Sequence, residues 1–155
     1  MTTSTVAKIN FAPREKQVVQ GVADGQTVPE IALSLSIGAH TVAGYLKLAK
    51  LKIPGANSNP SIVAVSYATD SIPAPKLLDL TDLCLPGKQL DLVPLTAQGM
   101  RPKQMAGFLN RDIDVVRRDA RDLMTNLQAK NPAHAVKRAW QYQLLTAEQV
   151  LAWYS

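Results

Sequence analysis

The stretch from Thr27 to Lys52 constrains the fold most, because it reads as two short helices joined by a tight turn. Thr27 is suited to cap the first helix, with Glu30 three residues on as the other half of a capping box. Ser36-Ile37-Gly38 then interrupts the apolar period where a sharp turn is needed, and a second helix is predicted from Ala39 to Lys50. This pattern predicts a helix-turn-helix.

The second helix of this unit has two contrasting sides. Val42, Leu46 and Ala49 recur at helical spacing and form an apolar stripe. A helix that enters the major groove of DNA needs small residues for close approach and cations for phosphate or guanine. Residues of that kind, which we predict to contact double-stranded DNA, are His40, Thr41, Ala43, Gly44, Lys47 and Lys50.

Several residues in the first half of the chain agree in type and spacing with one known pattern. They are Pro13-Arg14-Glu15, Ala23-Asp24-Gly25, Glu30-Ile31-Ala32, Leu35, Ile37 and Thr41-Val42. Together they resemble the LuxR-type helix-turn-helix, the output domain shared by quorum-sensing regulators and NarL/FixJ response regulators. The resemblance implies an all-α domain that contacts DNA through its third helix and often dimerises through its fourth. The lysine and histidine usual in that family are here Ala43 and Tyr45, and only Lys47 keeps a basic residue at the common DNA-facing positions.

The rest of the first half fits a four-helix unit. Pro13 begins a helix that stops at Gly25, and the apolar segment from Ser61 to Thr69 is predicted as the fourth helix. Its β-branched residues leave a strand as the alternative. Because the resembling family often dimerises here, Ile62, Val63 and Val65 form a hypothetical contact between chains. A short linker follows, with Pro73 and Pro75, and then a short packing helix is predicted from Lys76 to Leu83.

The second half repeats the first. Placing Gly99 on Gly25 aligns Met105-Ala106 with Ile31-Ala32. The second copy is predicted to have helices ending near Gly99, from Pro102 to Leu109, from Asp112 to Leu127, and around Ala135 to Trp140. It resembles the family more faintly, because Pro94 lies inside its first helix. We therefore predict an all-α protein with two tandem four-helix helix-turn-helix domains, at 1–72 and 73–155, joined by the Pro-containing linker.

The third helix of the second copy is rich in arginine. Arg117 and Arg121 share a face, at the positions that match Ala43 and Lys47, and are predicted to read bases or contact phosphate. The candidate DNA contacts in this copy are Arg117, Arg118, Arg121 and Lys130. Within that set, Arg118 has Asp114 and Asp122 four residues away on either side, which predicts an intrahelical ion-pair ladder and a structural role. The alternative is a solvent-exposed helix whose acidic and basic side chains bind no ligand.

Composition narrows the class of protein. The net charge of +5 and the pI near 9.5 favour a polyanionic partner. One cysteine, Cys84, and no Cys/His cluster predict neither a disulfide framework nor a metal site, and no cofactor or enzyme motif is present in the sequence. No apolar run is long enough to span a membrane, and the N-terminus is too polar for a signal peptide, so we expect a cytoplasmic, nucleoid-associated protein. The arm Met1–Asn10, with Lys8, is either a frayed terminus or a minor-groove contact.

The sequence therefore predicts a sequence-specific DNA-binding transcriptional regulator and no catalysis. The two copies either act as a covalent pseudo-dimer, or two chains form a homodimer through their fourth helices or the C-terminal aromatic tail, Trp140 to Trp153. The alternative function is a protein–protein interaction module, a co-regulator or anti-activator in which at least one copy no longer binds DNA. Its partner would then be RNA polymerase or another regulator.

Overall fold

The protein is all-α in a computed structural model that describes residues 9–154. The first eight residues, including Lys8 of the predicted arm, lie outside the described residues. The described residues form ten α-helices and no strand. The helices are α1 Pro13–Ala23, α2 Val28–Leu35, α3 Ala39–Leu51, α4 Asn59–Ala68, α5 Gly87–Leu90, α6 Leu92–Ala97, α7 Pro102–Leu109, α8 Ile113–Leu127, α9 Pro132–Gln141 and α10 Ala147–Ala152.

Local capping explains where the helices of the first half begin. The Glu30 N–H donates to Thr27 Oγ1 at 3.3 Å, and the Thr27 N–H donates to Glu30 Oε1 at 2.8 Å, so the predicted capping box is present at α2. Ser58 caps α4 in the same way, with the Ser61 N–H donating to its hydroxyl at 3.2 Å. The α4 helix therefore begins at Asn59, slightly earlier than predicted, and the strand alternative is wrong.

Helix α4 lies at the centre of the molecule. Every residue from Ser61 to Tyr67 is buried, because α1, α6, α9 and α10 pack around this helix. A helix that is enclosed on all sides accepts the β-branched residues that made a strand plausible. Ile62, Val63 and Val65 are fully buried inside the chain. The hypothesis that they form a contact between two chains is therefore wrong, since this surface is already used within one chain.

The helices after the linker follow the spacing of the first four. Helix α2 begins at 28 and α7 at 102, and α3 begins at 39 and α8 at 113, so both pairs are displaced by the same amount as Gly25 and Gly99. Backbone conformations repeat as well: φ is 81° at Gly25 and 85° at Gly99, and 58° at Ser36 and 55° at Asn110. The two glycines occupy a left-handed conformation that other residues adopt at a cost.

The two halves pack together reciprocally. Helix α4 packs on α9, α1 of the first half packs on α9, and α6 of the second half packs on α4. The turn before α2 meets the start of α9, where a Cβ added to Gly25 would lie 3.0 Å from His134 Cβ. The equivalent turn before α7 meets Ser58 at the start of α4, where a Cβ added to Gly99 would lie 2.3 Å from Ser58 Oγ. Such reciprocity is typical of a two-fold symmetric dimer.

The segment between the halves differs from the prediction. Lys76–Leu83 is not a packing helix but an extended strap with one 3-10 turn at Leu80–Asp82. Leu77 and Leu80 are 59% and 50% exposed, so the segment offers no continuous apolar face that a helix could bury. The Leu78 N–H instead donates to the Gln141 carbonyl at 2.9 Å and holds the strap against α9.

The first helix of the second half is broken, and the aromatic tail belongs to the core. Pro94 lacks the N–H that would bond to the Leu90 carbonyl, which accounts for the break between α5 and α6. Helix α10 packs on α4, and its Val150 is fully buried. The Trp140 ring lies 5.5 Å from the Tyr67 ring, centroid to centroid, between the two fourth helices. The tail therefore packs within its own chain.

No single helix among residues 9–154 has the length and apolar character needed to cross a membrane; α2 and α3 pass that test only when taken together across a bend of 107°.

Candidate nucleic-acid interface

Helices α2 and α3 have the geometry of a helix-turn-helix. Their axes are related by a bend of 107°, within the range of about 90–120° that the motif uses. Ser36 turns the chain in a left-handed conformation, and the Ile37 N–H donates to the Ala32 carbonyl at 3.1 Å. The Val42 side chain, on the inner side of α3, is fully buried. The opposite side of α3 is thereby turned outward.

The outward side of α3 carries the residues predicted from the sequence. His40, Thr41, Ala43, Gly44 and Lys47 are all exposed. A Cβ added to Gly44 would meet nothing within 4 Å, so another surface can approach the helix backbone closely at this point. These residues form an exposed surface of mostly small side chains with one cation, Lys47.

A shallow groove of about 300 Å³ runs along α3. Ala43, Lys47 and Lys50 line it together with apolar atoms, including those of Leu51, which is 71% exposed. The groove therefore offers both a cation pair and an apolar wall.

Helix α8 exposes its arginines, but their ion pairing differs from the prediction. The predicted ladder at Arg118 is wrong, because Arg118 has no ion pair within residues 9–154. Asp114 instead lies 3.7 Å from Arg117, one turn along, where a short aspartate side chain can approach it. Both partners are exposed, so this pair contributes little stability and leaves Arg117 accessible.

Three of the predicted cations meet in a cleft of about 720 Å³ that both halves line. Lys50 comes from α3, and Arg117 and Arg121 come from α8. Arg101, at the start of α7, joins them. Within the part of the chain that the structure describes, no carboxylate lines the cleft. The other predicted contacts lie outside it: Ala43 and Lys47 line the neighbouring groove, and His40, Thr41, Gly44, Arg118 and Lys130 line neither.

Burial changes the chemistry of one cleft cation. Lys50 is partly buried, and this burial lowers the pKa of its ammonium group. Lys50 has no ion-pair partner in the described residues that would compensate for the lost hydration. An anion that entered the cleft would supply the charge partner that the Lys50 ammonium group lacks.

Of the cations around α9, Lys137 forms an ion pair with the first half, whereas Arg138 and Lys130 make hydrogen bonds within the second half. Lys137 pairs with Asp24 of the first half, and the Arg138 Nε–H donates to the Leu127 carbonyl at 2.8 Å. Lys130 is exposed, and its backbone N–H donates to His134 Nδ1 at 3.0 Å, which requires that nitrogen to be unprotonated. Burial and the neighbouring charges of Arg138, Lys137 and Lys130 lower the pKa of His134, against an opposing effect of Asp24.

The sequence prediction missed Arg101 and the methionines of the cleft. Arg101 precedes α7 as Thr27 precedes α2, so a cation stands where α2 has its cap, and α7 has no side-chain capping bond from this position. The alignment of Gly99 with Gly25 places Arg101 on Thr27, so this replacement could have been recognised in the sequence. Met100, Met105 and Met124 line the same cleft, but only the packing of the halves brings them together. Among the described residues, no three His, Cys, Asp or Glu side chains are grouped as metal ligands.

Residues 10–65 match the family model described as bacterial regulatory proteins, luxR family. The match begins just before α1 and ends within α4, so the first half of the chain carries one LuxR-type helix-turn-helix. Members of this family are DNA-binding transcription regulators, and the family is not enzymatic. No curated protein and no solved structure matches the chain significantly.

Proposed function

We propose that this protein is a sequence-specific DNA-binding transcriptional regulator that acts in the cytoplasm, at the nucleoid. The observation that carries the proposal is the luxR family match over α1–α4, together with the exposed outer side of α3. In such a domain the third helix enters the major groove and the helices around it hold its orientation.

The proposal extends to a second helix-turn-helix unit formed by α6–α9, with domains at 1–72 and 73–155. It is supported by the constant displacement between equivalent helices, by the repeated left-handed turns and by the reciprocal packing of the fourth helices. The two units would then act as a pseudo-dimer, with α3 and α8 in successive major grooves about 34 Å apart. Because the two helices differ in sequence, the DNA site would be asymmetric.

The proposed contacts differ between the halves. The small outer residues of α3, with His40 and Lys47, approach the groove closely, while Arg117 and Arg121 contact guanine or phosphate. Arg118 and Lys130 are exposed and contribute phosphate contacts, which position the protein without specifying sequence.

Binding to fragmented genomic DNA across a salt series tests the proposal. We expect tight binding that weakens steeply with salt, since each neutralised phosphate adds about 0.9 to the slope of log K against log salt. A variant with Arg117→Ala and Arg121→Ala should bind DNA more weakly and show a shallower slope of log K against log salt. A matched control with Lys16→Ala and Lys76→Ala, two exposed cations that belong to neither α3 nor α8, should lose neither. Absence of DNA binding at low salt would refute the proposal.

One observation favours a second function, an interaction module that binds a protein such as RNA polymerase or another regulator. The groove along α3 has an apolar wall, and Leu51 is widely exposed beside it. An apolar contact of this kind would be insensitive to salt, which separates the two functions in the same experiment.

A further inference from the structure

The cleft between the halves is lined by equivalent positions of both. Val22 and Thr96 are equivalent in the repeat, and both line it; the same is true of Gln26 and Met100. A cleft built from equivalent positions of both units straddles the pseudo-two-fold axis. Its volume of about 720 Å³ lies in the range of about 300–1,000 Å³ that small-molecule sites occupy.

The lining of the cleft includes apolar, adaptable side chains. Met100, Met105 and Met124 line it, and these are three of the four methionines in the chain. Ala120, a small apolar residue, lines the cleft as well. Methionine is flexible and polarisable, so this surface can pack against a flat aromatic or aliphatic body of varied shape.

The same cleft is lined by cations that no lining carboxylate compensates. Lys50, Arg101 and Arg121 have no ion-pair partner within residues 9–154, and Arg117 has only its exposed contact with Asp114. Helix α7 begins in the cleft without a side-chain cap from Arg101, so its first N–H groups add partial positive charge. Four cations beside one apolar surface select for a ligand that is both anionic and apolar.

We propose that the cleft binds a small organic anion, with its apolar body against the three methionines and its carboxylate, sulfonate or phosphate group between Lys50 and Arg121. The same ligand competes with DNA phosphates for Arg117 and Arg121 and thereby weakens DNA binding. The competition rests on the proposed function, whereas the binding site itself does not.

A matched pair of fluorescent probes tests the site. Anilinonaphthalene sulfonate has an aromatic body and an anionic group, and N-phenylnaphthylamine has nearly the same body without charge. We expect one molecule of the sulfonate to bind per chain, at least about tenfold tighter than the neutral probe, because charge-assisted contacts hold only the sulfonate. Equal affinity for the two probes, or several weak sites, would overturn the proposal.

Variants locate the bound probe. Lys50→Gln with Arg121→Gln should weaken sulfonate binding at least about tenfold, and Arg121→Gln alone, at an exposed position, should give part of that loss. The control, Lys16→Gln with Lys76→Gln, removes one exposed cation from each half outside the cleft and should leave binding unchanged. Equal loss in the control would overturn the assignment to the cleft.

Adding the sulfonate to a DNA titration tests the competition. Weaker DNA binding by the wild-type protein at a saturating probe concentration is expected, and unchanged affinity would overturn the competition. If the probe binds in the cleft but the protein binds no DNA at low salt, the proposed function fails and the ligand site stands. If DNA binds and the probe does not, the ligand site fails and the proposed function stands.

Discussion

Replacing Gly99 by alanine should destabilise the protein through the contact between its two halves. Gly99 has φ 85°, and a left-handed conformation costs a non-glycine residue about 1–2 kcal/mol. The added Cβ would also lie 2.3 Å from Ser58 Oγ and 3.0 Å from Ser58 Cβ. The hydroxyl must then leave the Ser61 N–H that it caps, a loss of about 1 kcal/mol. We expect a total loss of about 2–3 kcal/mol in the free energy of unfolding.

A double-mutant cycle separates the backbone strain from the contact. Ser58→Gly removes the atoms that the new Cβ meets and itself costs only a few tenths of a kcal/mol, since glycine is tolerated as an N-cap. In that background Gly99→Ala should cost only the strain of about 1–2 kcal/mol, giving a coupling of about 1 kcal/mol. Gly44→Ala is the control for the substitution itself. It lies in a helix with nothing near its Cβ, and it should stabilise by about 0.5–1 kcal/mol.

Urea unfolding followed by tryptophan fluorescence measures all of these free energies, because Trp140 packs against the core. If Gly99→Ala has the same cost in the wild-type protein and in the Ser58→Gly background, within about 0.3 kcal/mol, the reasoning is refuted. The start of α4 would then not be packed against the turn before α7.

Three further predictions concern charged groups. Burial raises the pKa of Glu15, but its hydrogen bonds from Lys52 and Ala12 and the Lys52 charge outweigh burial, so the pKa lies below 4.5. The stability that Glu15 contributes is therefore present above pH 4.5 and lost as the pH falls through the lower pKa of the folded state. Replacing Glu15 by Gln should remove this pH dependence from the free energy of unfolding measured in urea. Burial and nearby cations lower the pKa of His134 below 6.5. The stability that neutral His134 contributes is therefore present above pH 6.5 and lost as the pH falls through the lower pKa of the folded state. Replacing His134 by Gln should remove this pH dependence from the free energy of unfolding. Lys137→Met should cost up to about 1 kcal/mol, because the pair with Asp24 is only partly buried, and an unchanged urea midpoint would show that the pair contributes nothing.

The sequence predicted those features that local chemistry determines. Thr27 and Glu30 specify the start of α2 through a capping box, and Gly25 and Gly99 mark turns that need positive φ. Each of these signals acts within a few residues, so each can be read from the sequence.

The features that the sequence did not predict depend on contacts between distant segments. The burial of α4 on all sides follows from α9 and α10, which belong to the other half of the chain. The apolar residues of Lys76–Leu83 suggested a helix, but Leu83 packs against the core while Leu77 and Leu80 remain exposed, so the segment buries no continuous apolar face. The cleft combines Lys50 with Arg101 and Met124, and only the packing of the two halves places these residues together.

In the proposed pseudo-dimer, joining the halves in one chain allows the cleft to become asymmetric. In a symmetric homodimer, equivalent positions around the two-fold axis carry identical residues, so a cation on one side implies the same cation on the other. Here Lys50 and Met124 are separated by the same displacement as Gly25 and Gly99, and so are Thr27 and Arg101. One half therefore contributes a cation where the other contributes an uncharged side chain. This difference gives the proposed site both cations and methionines without repeating each of them across an axis, which a symmetric pair of identical chains could not do.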